Sequence, residues 1–493
     1  MTHLFSGTGL FFATICLATL AGCSGVLDLN KDGATGADDG DGTDAGGDTD
    51  AGADTDSGAD TDAGADSGAD AGADSGTGGD DDGRRPTPVQ KVDLLLILDN
   101  SASMETSQRL LASVMPSMVQ QLTDEGLDVR VGMTTTDSGN SGCATTGSND
   151  TTPEHGGLRA TSCTTRPMEF EFPHPFPVIQ AYEATCTSIC PEDVGNAWSI
   201  IATGIEGAVG EAPRPWLEVR PDGETNVTGA TWAQALRCMV PQGVDGCGFE
   251  AQLESHRQAI AKSSDPGAPH FGFMRDDAML ALLHFTNEAD CSSNTLVGEL
   301  VFGASAEDSP LWTGPSLSSG VCWKAGTTCV GDGMPYESCE GADLNYLGEA
   351  VGEVFDPEAP PQQQQVLVPL SRFQQQLDEL PHTPVVAMFA GVPHGYADGV
   401  ADISYSASEG SSQWQSFGVD FGCESEFDGS VQRAVPPVRL REMAAANHDP
   451  ALAEASGLAR NIFSLCDDSF SQEAERVVEL ILAGVARTST TGR

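Results

Sequence analysis

The sequence predicts an α/β fold in which a doubly wound, mainly parallel sheet carries long disulfide-stapled insertions. Near-continuous apolar runs at 92–98, 279–286 and 384–390 indicate strands that are buried on both faces. Helical patterns separate these runs, and this alternation is typical of parallel sheets. Three stretches rich in Gly, Pro and Cys are too long for simple crossovers, so we expect them to be insertions.

The predicted elements begin at residue 92. Only Asp93 interrupts the first strand, and the helix expected at 107–126 contains Pro116, which should kink it, and ends at Gly126. The other expected elements are strands at 129–133, 279–286 and 384–390, and helices at 250–262, 372–380 and 471–486. Within one domain at 84–493, the insertions are expected near 138–230, 291–360 and 395–460.

Residues 1–22 have the composition of an export signal. The apolar run at 10–20 is shorter than the roughly 20 apolar residues that a membrane span needs. Leu20-Ala21-Gly22-Cys23 resembles the bacterial lipobox, in which a lipid is attached to the cysteine that follows the cleavage point. The resemblance implies lipidation of Cys23, and Ser24 favours the outer membrane. No Lys or Arg precedes the apolar run, which departs from the usual signal, and the alternative is an ordinary secretory peptide in which the cysteine occurs by chance.

An acidic segment follows at 23–83. Between Asp28 and Asp82 it contains 18 aspartates and one lysine, mostly in Gly-Ala-Asp repeats. Almost none of its side chains can be buried, so nothing offsets the entropy lost on ordering it. We expect a disordered tether between the lipidated cysteine and the folded domain.

Acidic residues dominate the whole chain, with 73 Asp and Glu against 23 Lys and Arg and a net charge of −50. This charge argues against nucleic acid and anionic lipid headgroups as partners, which leaves the N-terminal lipid as the contact with the membrane. No Gly-x-Ser-x-Gly, His-Glu-x-x-His or phosphate-loop motif occurs, and we do not expect an enzyme.

Cysteine usage fits an exported protein. Besides Cys16 in the signal and Cys23, an even number of cysteines remains, enough for six disulfides whose connectivity the sequence leaves open. The candidates are Cys143, Cys163, Cys186, Cys190, Cys238, Cys247, Cys291, Cys322, Cys329, Cys339, Cys423 and Cys466.

Three oxygen-bearing side chains stand at alternate positions directly after the first strand. Asp99, Ser101 and Ser103 would offer a carboxylate and two hydroxyls at the carboxyl end of that strand. Such oxygens suit a hard cation, Mg²⁺ or Ca²⁺. The alternative is structural, because both serines could instead cap the free N–H groups of the following helix.

These residues carry a resemblance to a known family. VDLLLILDNSASM resembles the opening strand and metal loop of the von Willebrand factor type A (vWA) domain, and LDVRVGMTTTD resembles its second strand. The later segments FMRDDAMLALLHFTNEADCS, VCWKAGTTC, AVPPVRLREMA and FSLCDDSFSQEA resemble a cysteine-rich bacterial lipoprotein version of that domain. Over 90–488 the resemblance implies a Rossmann-like sheet with a metal-ion-dependent adhesion site (MIDAS) at its carboxyl edge.

In the vWA family this site adds a Thr from a second loop and an Asp that ends a later strand. The second loop corresponds to 242–250, where Val244 stands at the expected Thr, and Asn287 stands at the expected Asp. The implied ligands are Asp99, Ser101 and Ser103, with Asp245, Asn287, Glu288 and Asp290 as further candidates. Tight binding, weak binding and a silent loop all stay open.

The leading hypothesis is a lipid-anchored binding or adhesion module of the cell envelope. The top face of its domain would capture a protein or another envelope component, with or without Mg²⁺ or Ca²⁺. The alternatives are a structural envelope lipoprotein with a vestigial metal loop and a hydrolase carried on an insertion. Of the isolated histidines, His284 is expected to be a hydrogen-bonded core residue and His394 a solvated loop residue.

Overall fold

A six-stranded sheet organises the described part of the chain. The structure, a computed structural model, describes residues 90–146, 153–172, 179–304, 308–354, 356–427, 429–467 and 469–491. All of them belong to one unit, Asp81–Arg493. The signal, Cys23 and the acidic tether lie outside the described residues.

The sheet is mixed and mostly parallel. Its strands are β1 (Lys91–Leu98), β2 (Asp128–Thr135), β3 (Trp216–Val219), β4 (Met279–Phe285), β5 (Val385–Ala390) and β6 (Ile462–Ser464). They lie in the order β6-β5-β4-β1-β2-β3, and only β3 is antiparallel to its neighbour. The α/β prediction is confirmed at this level.

Helices cover both faces of the sheet. They are α1 (Glu105–Asp124), α2 (Trp232–Met239), α3 (Gln252–Ser263), α4 (Leu370–Asp378), α5 (Val438–Ala446) and α6 (Phe470–Thr491). The helices α1, α2 and α6 pack on one face, and α3, α4 and α5 pack on the other. Along β1, Leu94, Leu96 and Leu98 enter the first core and Leu95 and Ile97 the second, as the two-residue period of a strand requires.

The long strands and four of the six helices that cover the sheet were predictable, whereas α2, α5 and two short strands were not. β1, β2, β4 and β5 begin and end within two residues of the predicted limits. The sequence analysis missed β3 and β6, which have four and three residues. The stretch at 138–230 therefore also contributes β3 to the sheet edge, and the stretch at 395–460 contributes α5 to one face, so neither is only an insertion outside the sheet.

Smaller elements decorate the connections. The short α-helices are Ser141–Thr146, Glu192–Gly195, Gly298–Phe302, Gly320–Gly326, Ser412–Phe417 and Pro450–Ser456. The short strands pair as Glu171–Phe172 with Ile179–Gln180, Ser199–Ile200 with Val227–Thr228, Ala202–Gly204 with Glu211–Pro213, Thr327–Val330 with Ser338–Gly341, and Cys423–Phe427 with Ser430–Ala434. No helix in the described ranges has the length and apolar character to cross a membrane.

All twelve candidate cysteines are paired. The disulfides are Cys143–Cys247, Cys163–Cys186, Cys190–Cys238, Cys291–Cys322, Cys329–Cys339 and Cys423–Cys466. Three of them tie the stretch at 138–230 together, to α2 or to the segment before α3, and Cys423–Cys466 ties the last stretch to the chain after β6. The long loops, which also form two small hydrophobic clusters, are thereby held against the sheet.

Candidate metal centre

Three loops meet at the carboxyl edge of the sheet. β1 and β4 are parallel neighbours, so the loops that follow them, at 99–104 and 286–290, lie side by side. The segment 242–250 reaches the first of these loops, where the Gly246 N–H donates to the Asn100 carbonyl at 3.0 Å. A Cβ on Gly246 would lie 2.3 Å from Asn100 Oδ1, so this close approach requires glycine.

Asp99 is the innermost of the predicted ligands. Its side chain is fully buried, with Oδ1 accepting from the Ser101 N–H at 2.8 Å and Oδ2 accepting from Thr286 Oγ1 at 2.8 Å. Burial raises the pKa of Asp99, and these hydrogen bonds only partly oppose that rise. The two loops therefore fix the carboxylate in place without supplying a positive charge.

The two serine hydroxyls lie next to each other and to Asn287. Ser101 Oγ and Ser103 Oγ are 3.4 Å apart, and Asn287 Nδ2 donates to Ser103 Oγ at 2.9 Å. Ser101 is buried, whereas Ser103 is exposed. Within the described residues Asn287 Oδ1 is buried with no hydrogen-bond partner. Four of the predicted ligands, Asp99, Ser101, Ser103 and Asn287, thus lie together at a spot that opens to solvent at Ser103.

Glu250 and Glu288 add two more carboxyl groups. Glu250 lies just before α3 with no exposed surface, and neither of its carboxylate oxygens has a hydrogen-bond partner among the described residues. Burial, and then the charges of Glu288 and Asp99, raise the pKa of Glu250 well above its usual value. Burial, assisted by the Asp99 charge, raises the pKa of Glu288 to about 7. The three carboxyl groups are close enough to perturb one another.

These acidic groups lack a cation from the protein. Among the described residues no Lys, Arg or His forms an ion pair with Asp99, Glu250 or Glu288. Buried charges in folded proteins are normally paired or bound to a metal. Carboxylate, hydroxyl and amide oxygens are the ligand set that Mg²⁺ and Ca²⁺ prefer. The residues present therefore fit a hard divalent cation.

Two of the other predicted positions have different neighbours. Asp290 is buried and pairs with Arg439 Nε at 3.0 Å, while it accepts from the Leu253 N–H at 3.2 Å. Its charge is therefore already balanced within the fold. Val244 is fully buried in the core on the α1 side, and the half-buried Asp245 follows it in the same loop.

The two isolated histidines also differ from expectation. His284 is a core residue, but neither ring nitrogen has a hydrogen-bond partner among the described residues, so the expected hydrogen bond is wrong. Its ring instead meets that of His256 edge-on at 5.3 Å, and burial lowers the pKa of His284 to about 3. His394 is 74% exposed, as a solvated histidine should be, but its Nδ1 contacts the Asp467 carboxylate.

A second group of possible ligands lies farther along the same edge, after β5 and β6. Ligand atoms of His394, Asp467 and Glu473 lie within 4.8 Å of one another. Here the protein supplies partners, because Asp467 accepts from the Ser469 N–H at 2.7 Å and Glu473 lies 3.4 Å from Arg476 Nη1. This cluster is therefore a weaker candidate than the group around Asp99.

The sequence analysis did not single out Thr286 and Glu250. Thr286 directly precedes Asn287, and its position after a buried strand is the signal that could have identified it. Glu250 is 151 residues from Asp99 in sequence, and only the path of the segment before α3 brings the two together.

No protein-family model and no curated protein matches the chain. The likeness to vWA domains therefore depends on the quoted segments, and the metal site is argued from its geometry.

Proposed function

We propose that the protein is a vWA-like binding module that uses a divalent cation at the carboxyl edge of its sheet. The observation that carries this proposal is the buried Asp99 carboxylate beside the Ser101 and Ser103 hydroxyls, with the buried Glu250 and the half-buried Glu288 close enough to perturb it and no ion pair to any of the three among the described residues. Mg²⁺ or Ca²⁺ would balance their charge. Asp99, Ser101, Ser103 and Asn287 would hold the ion, and the charges of Glu250 and Glu288 would attract it from nearby.

The exposure of Ser103 supports a role in binding rather than a closed structural site. A cation held there would face solvent on one side, where an acidic group of a protein or another envelope component could complete its coordination. Such a charge-assisted contact is stronger than a neutral hydrogen bond and depends on the ion. Capture of the partner should therefore be abolished by EDTA.

The proposed location is the cell envelope, with the domain tethered to the outer membrane through a lipid on Cys23. The six disulfides support export, because disulfides persist in oxidising compartments. Metabolic labelling with a fatty acid tests the anchor. The mature chain should incorporate the label and a Cys23→Ala variant should not, and labelling of both or neither would contradict the anchor.

Calorimetric titration of the oxidised, EDTA-treated chain with Mg²⁺ and with Ca²⁺ tests the site. The wild type should bind one ion, and Asp99→Ala should not, because the innermost carboxylate is gone. His394→Ala is the matched control, because it disables the second cluster on the same edge and should leave the titration unchanged.

Other outcomes identify the alternatives. Loss of binding in His394→Ala but not in Asp99→Ala would assign the ion to the second cluster and overturn the proposed site. Absence of binding in the wild type would favour a structural lipoprotein with a vestigial loop. Activity against a hydrolase panel that survives Asp99→Ala would favour an enzyme on an insertion.

A further inference from the structure

A second recessed site lies in the disulfide-stapled stretch, beside β2 and β3, and its lining shares no residue with the metal centre. A cavity of about 520 Å³ is bounded by segments 158–165, 195–200 and 213–215 and by Pro269. The Cys163–Cys186 and Cys190–Cys238 disulfides staple the segments around it. Its volume falls within the range of small-molecule sites, roughly 300–1,000 Å³. Much of its lining is apolar, including Leu158, Trp198, Ile200, Pro213 and Pro215.

One charged group in this lining has no counter-charge. Arg214 is only 6% exposed, and among the described residues it forms no ion pair. Its one hydrogen bond there runs from Nη2 to the Gly210 carbonyl at 3.3 Å, while Nε is buried without a partner. Trp198, also in the lining, has an indole Nε1–H with no partner in the described residues.

The neighbouring Arg159 is an arginine whose guanidinium is paired with carboxylates of the protein. Arg159 lines the same cavity, but its guanidinium pairs with Glu154 and, at 2.6 Å, with Glu169. Acidic residues outnumber Lys and Arg by 73 to 23, so carboxylates to pair with Arg214 are abundant in the chain. Burying a guanidinium without a partner carries a large desolvation cost. An anion from outside the chain would remove that cost.

We propose that this cavity binds an organic carboxylate with an aromatic or branched-aliphatic body, which pairs with Arg214. A guanidinium offers two parallel N–H donors that match the two oxygens of a carboxylate. The proline, isoleucine and tryptophan side chains would cover the apolar body. This site is separate from the metal centre, and its occupancy does not depend on the proposed cation.

The carboxylate could come from a free acid or from the C-terminus of a peptide, and the same chemistry would recognise either. Calorimetry with phenylacetate and 4-methylpentanoate tests the free acid. The peptide Ala-Ala-Ala-Phe, with a free or an amidated C-terminus, tests the peptide source. Each acid should bind saturably at one site, and phenylacetamide should bind at least about tenfold more weakly than phenylacetate. Binding of the free-ended peptide alone would assign the site to peptide C-termini.

Arg214→Met keeps the length of the side chain but removes the charge. It should weaken phenylacetate binding at least about tenfold while the unliganded chain melts at the same or a higher temperature, because a buried unpaired charge has been removed. A purely structural arginine would lower the melting temperature when replaced. Arg257→Met is the matched control, because this arginine pairs with Glu254 on α3 outside the cavity, and binding should not change.

Trp198→Phe tests whether the ligand binds in this cavity. It should keep calorimetric binding of phenylacetate but lose the ligand-dependent change in tryptophan fluorescence. Equal affinity for phenylacetate and phenylacetamide in the wild type would overturn the proposal without any variant. Full binding by Arg214→Met, or no saturable binding of any acid or peptide, would overturn it as well.

Discussion

A buried aspartate lies near each end of β1, and among the described residues only the one at the start of the strand is paired with an arginine. At its start, Asp93 is 1% exposed, and it accepts from the Arg275 backbone N–H at 2.6 Å and from Arg275 Nε at 2.8 Å. The same guanidinium donates to Asp128 at 2.8 Å. Directly after β1, Asp99 is also fully buried, but it faces Glu250 and Glu288 and no cation from the described residues.

This difference indicates that the charge of Asp93 is structural and that the charge of Asp99 is available to a ligand. Burial raises the pKa of both Asp93 and Asp99. The nearby Arg275 opposes the rise at Asp93, whereas no cation among the described residues does so at Asp99. The paired end holds strands β1 and β2 to the segment before β4. The unpaired end lies where parallel sheets commonly bind ligands. A cation from solvent would balance the charge of Asp99, as Arg275 balances that of Asp93.

The largest expected effect on stability comes from removing the arginine that pairs with Asp93. Arg275→Met leaves Asp93 buried without a partner and should lower the free energy of unfolding by about 3–5 kcal/mol, measured by urea denaturation. Mg²⁺ or Ca²⁺ should not restore the loss. The control Arg257→Met removes a more exposed pair and should cost about 1 kcal/mol or less. Similar losses in the two variants would break the comparison.

The next effect concerns the ligand end. At a cation concentration of 100 times the dissociation constant, the wild type should gain about 2.7 kcal/mol in the free energy of unfolding. Asp99→Asn should lose this gain, because a neutral amide replaces the innermost carboxylate. Asp467→Asn, in the second cluster, should keep it. Urea denaturation with and without the cation measures all three, and a gain that persists in Asp99→Asn would contradict the assignment.

A third kind of buried group lies between the two ends, within β4. His284 and the facing His256 have pKa values below the unfolded value of about 6.5, so the unfolded chain binds more protons at acid pH. The free energy of unfolding should therefore fall as pH drops from about 6.5 towards 3, by at most about 1.4 kcal/mol per pH unit for each histidine. His284→Leu should reduce this slope, and His382→Ala, in the turn before β5, should not. An unchanged slope in His284→Leu would show that other groups cause it.

The smallest expected effect is a change in Ca²⁺ affinity at the carboxyl end of β1. Asn287→Asp adds a carboxylate beside Ser103 and should raise the affinity for Ca²⁺ on the order of tenfold, because ligand charge tunes oxygen sites. The unliganded variant should be slightly less stable than the wild type, since a further negative charge is added. Calorimetry and melting measure the two changes. Weaker Ca²⁺ binding would mean that residue 287 does not face the ion.

Much of the sheet was predictable because its central strands are apolar on both faces. The strands β1, β4 and β5 can be buried in few places other than the middle of a sheet. Their parallel direction follows from the helices that connect them. β3 and β6 have too few residues to show a period, and the surrounding cysteine-rich loops hide them. Disulfide connectivity was not predictable, because it depends on the path of those loops.

The site was predictable only where its residues follow strand ends. Asp99, Ser101 and Ser103 stand directly after an apolar strand, and Asn287 was identified through the vWA resemblance. The structure brings their loops to one edge because β1 and β4 are adjacent parallel strands. Asp290 follows the same strand, but its charge is balanced by Arg439, 149 residues away in sequence. Long-range pairing of this kind leaves no local pattern in the sequence.

One measurement tests the central claim most directly: thermal melting of the wild type and Glu250→Gln, each in EDTA and in saturating Mg²⁺ or Ca²⁺. Glu250 has no partner for either carboxylate oxygen among the described residues, and its raised pKa means that the ionised form costs free energy unless a cation is bound. In EDTA the variant should melt above the wild type, and with the cation the order should reverse. If Glu250→Gln melts below the wild type in EDTA, or the cation leaves the order unchanged, the three carboxyls are not a cation site.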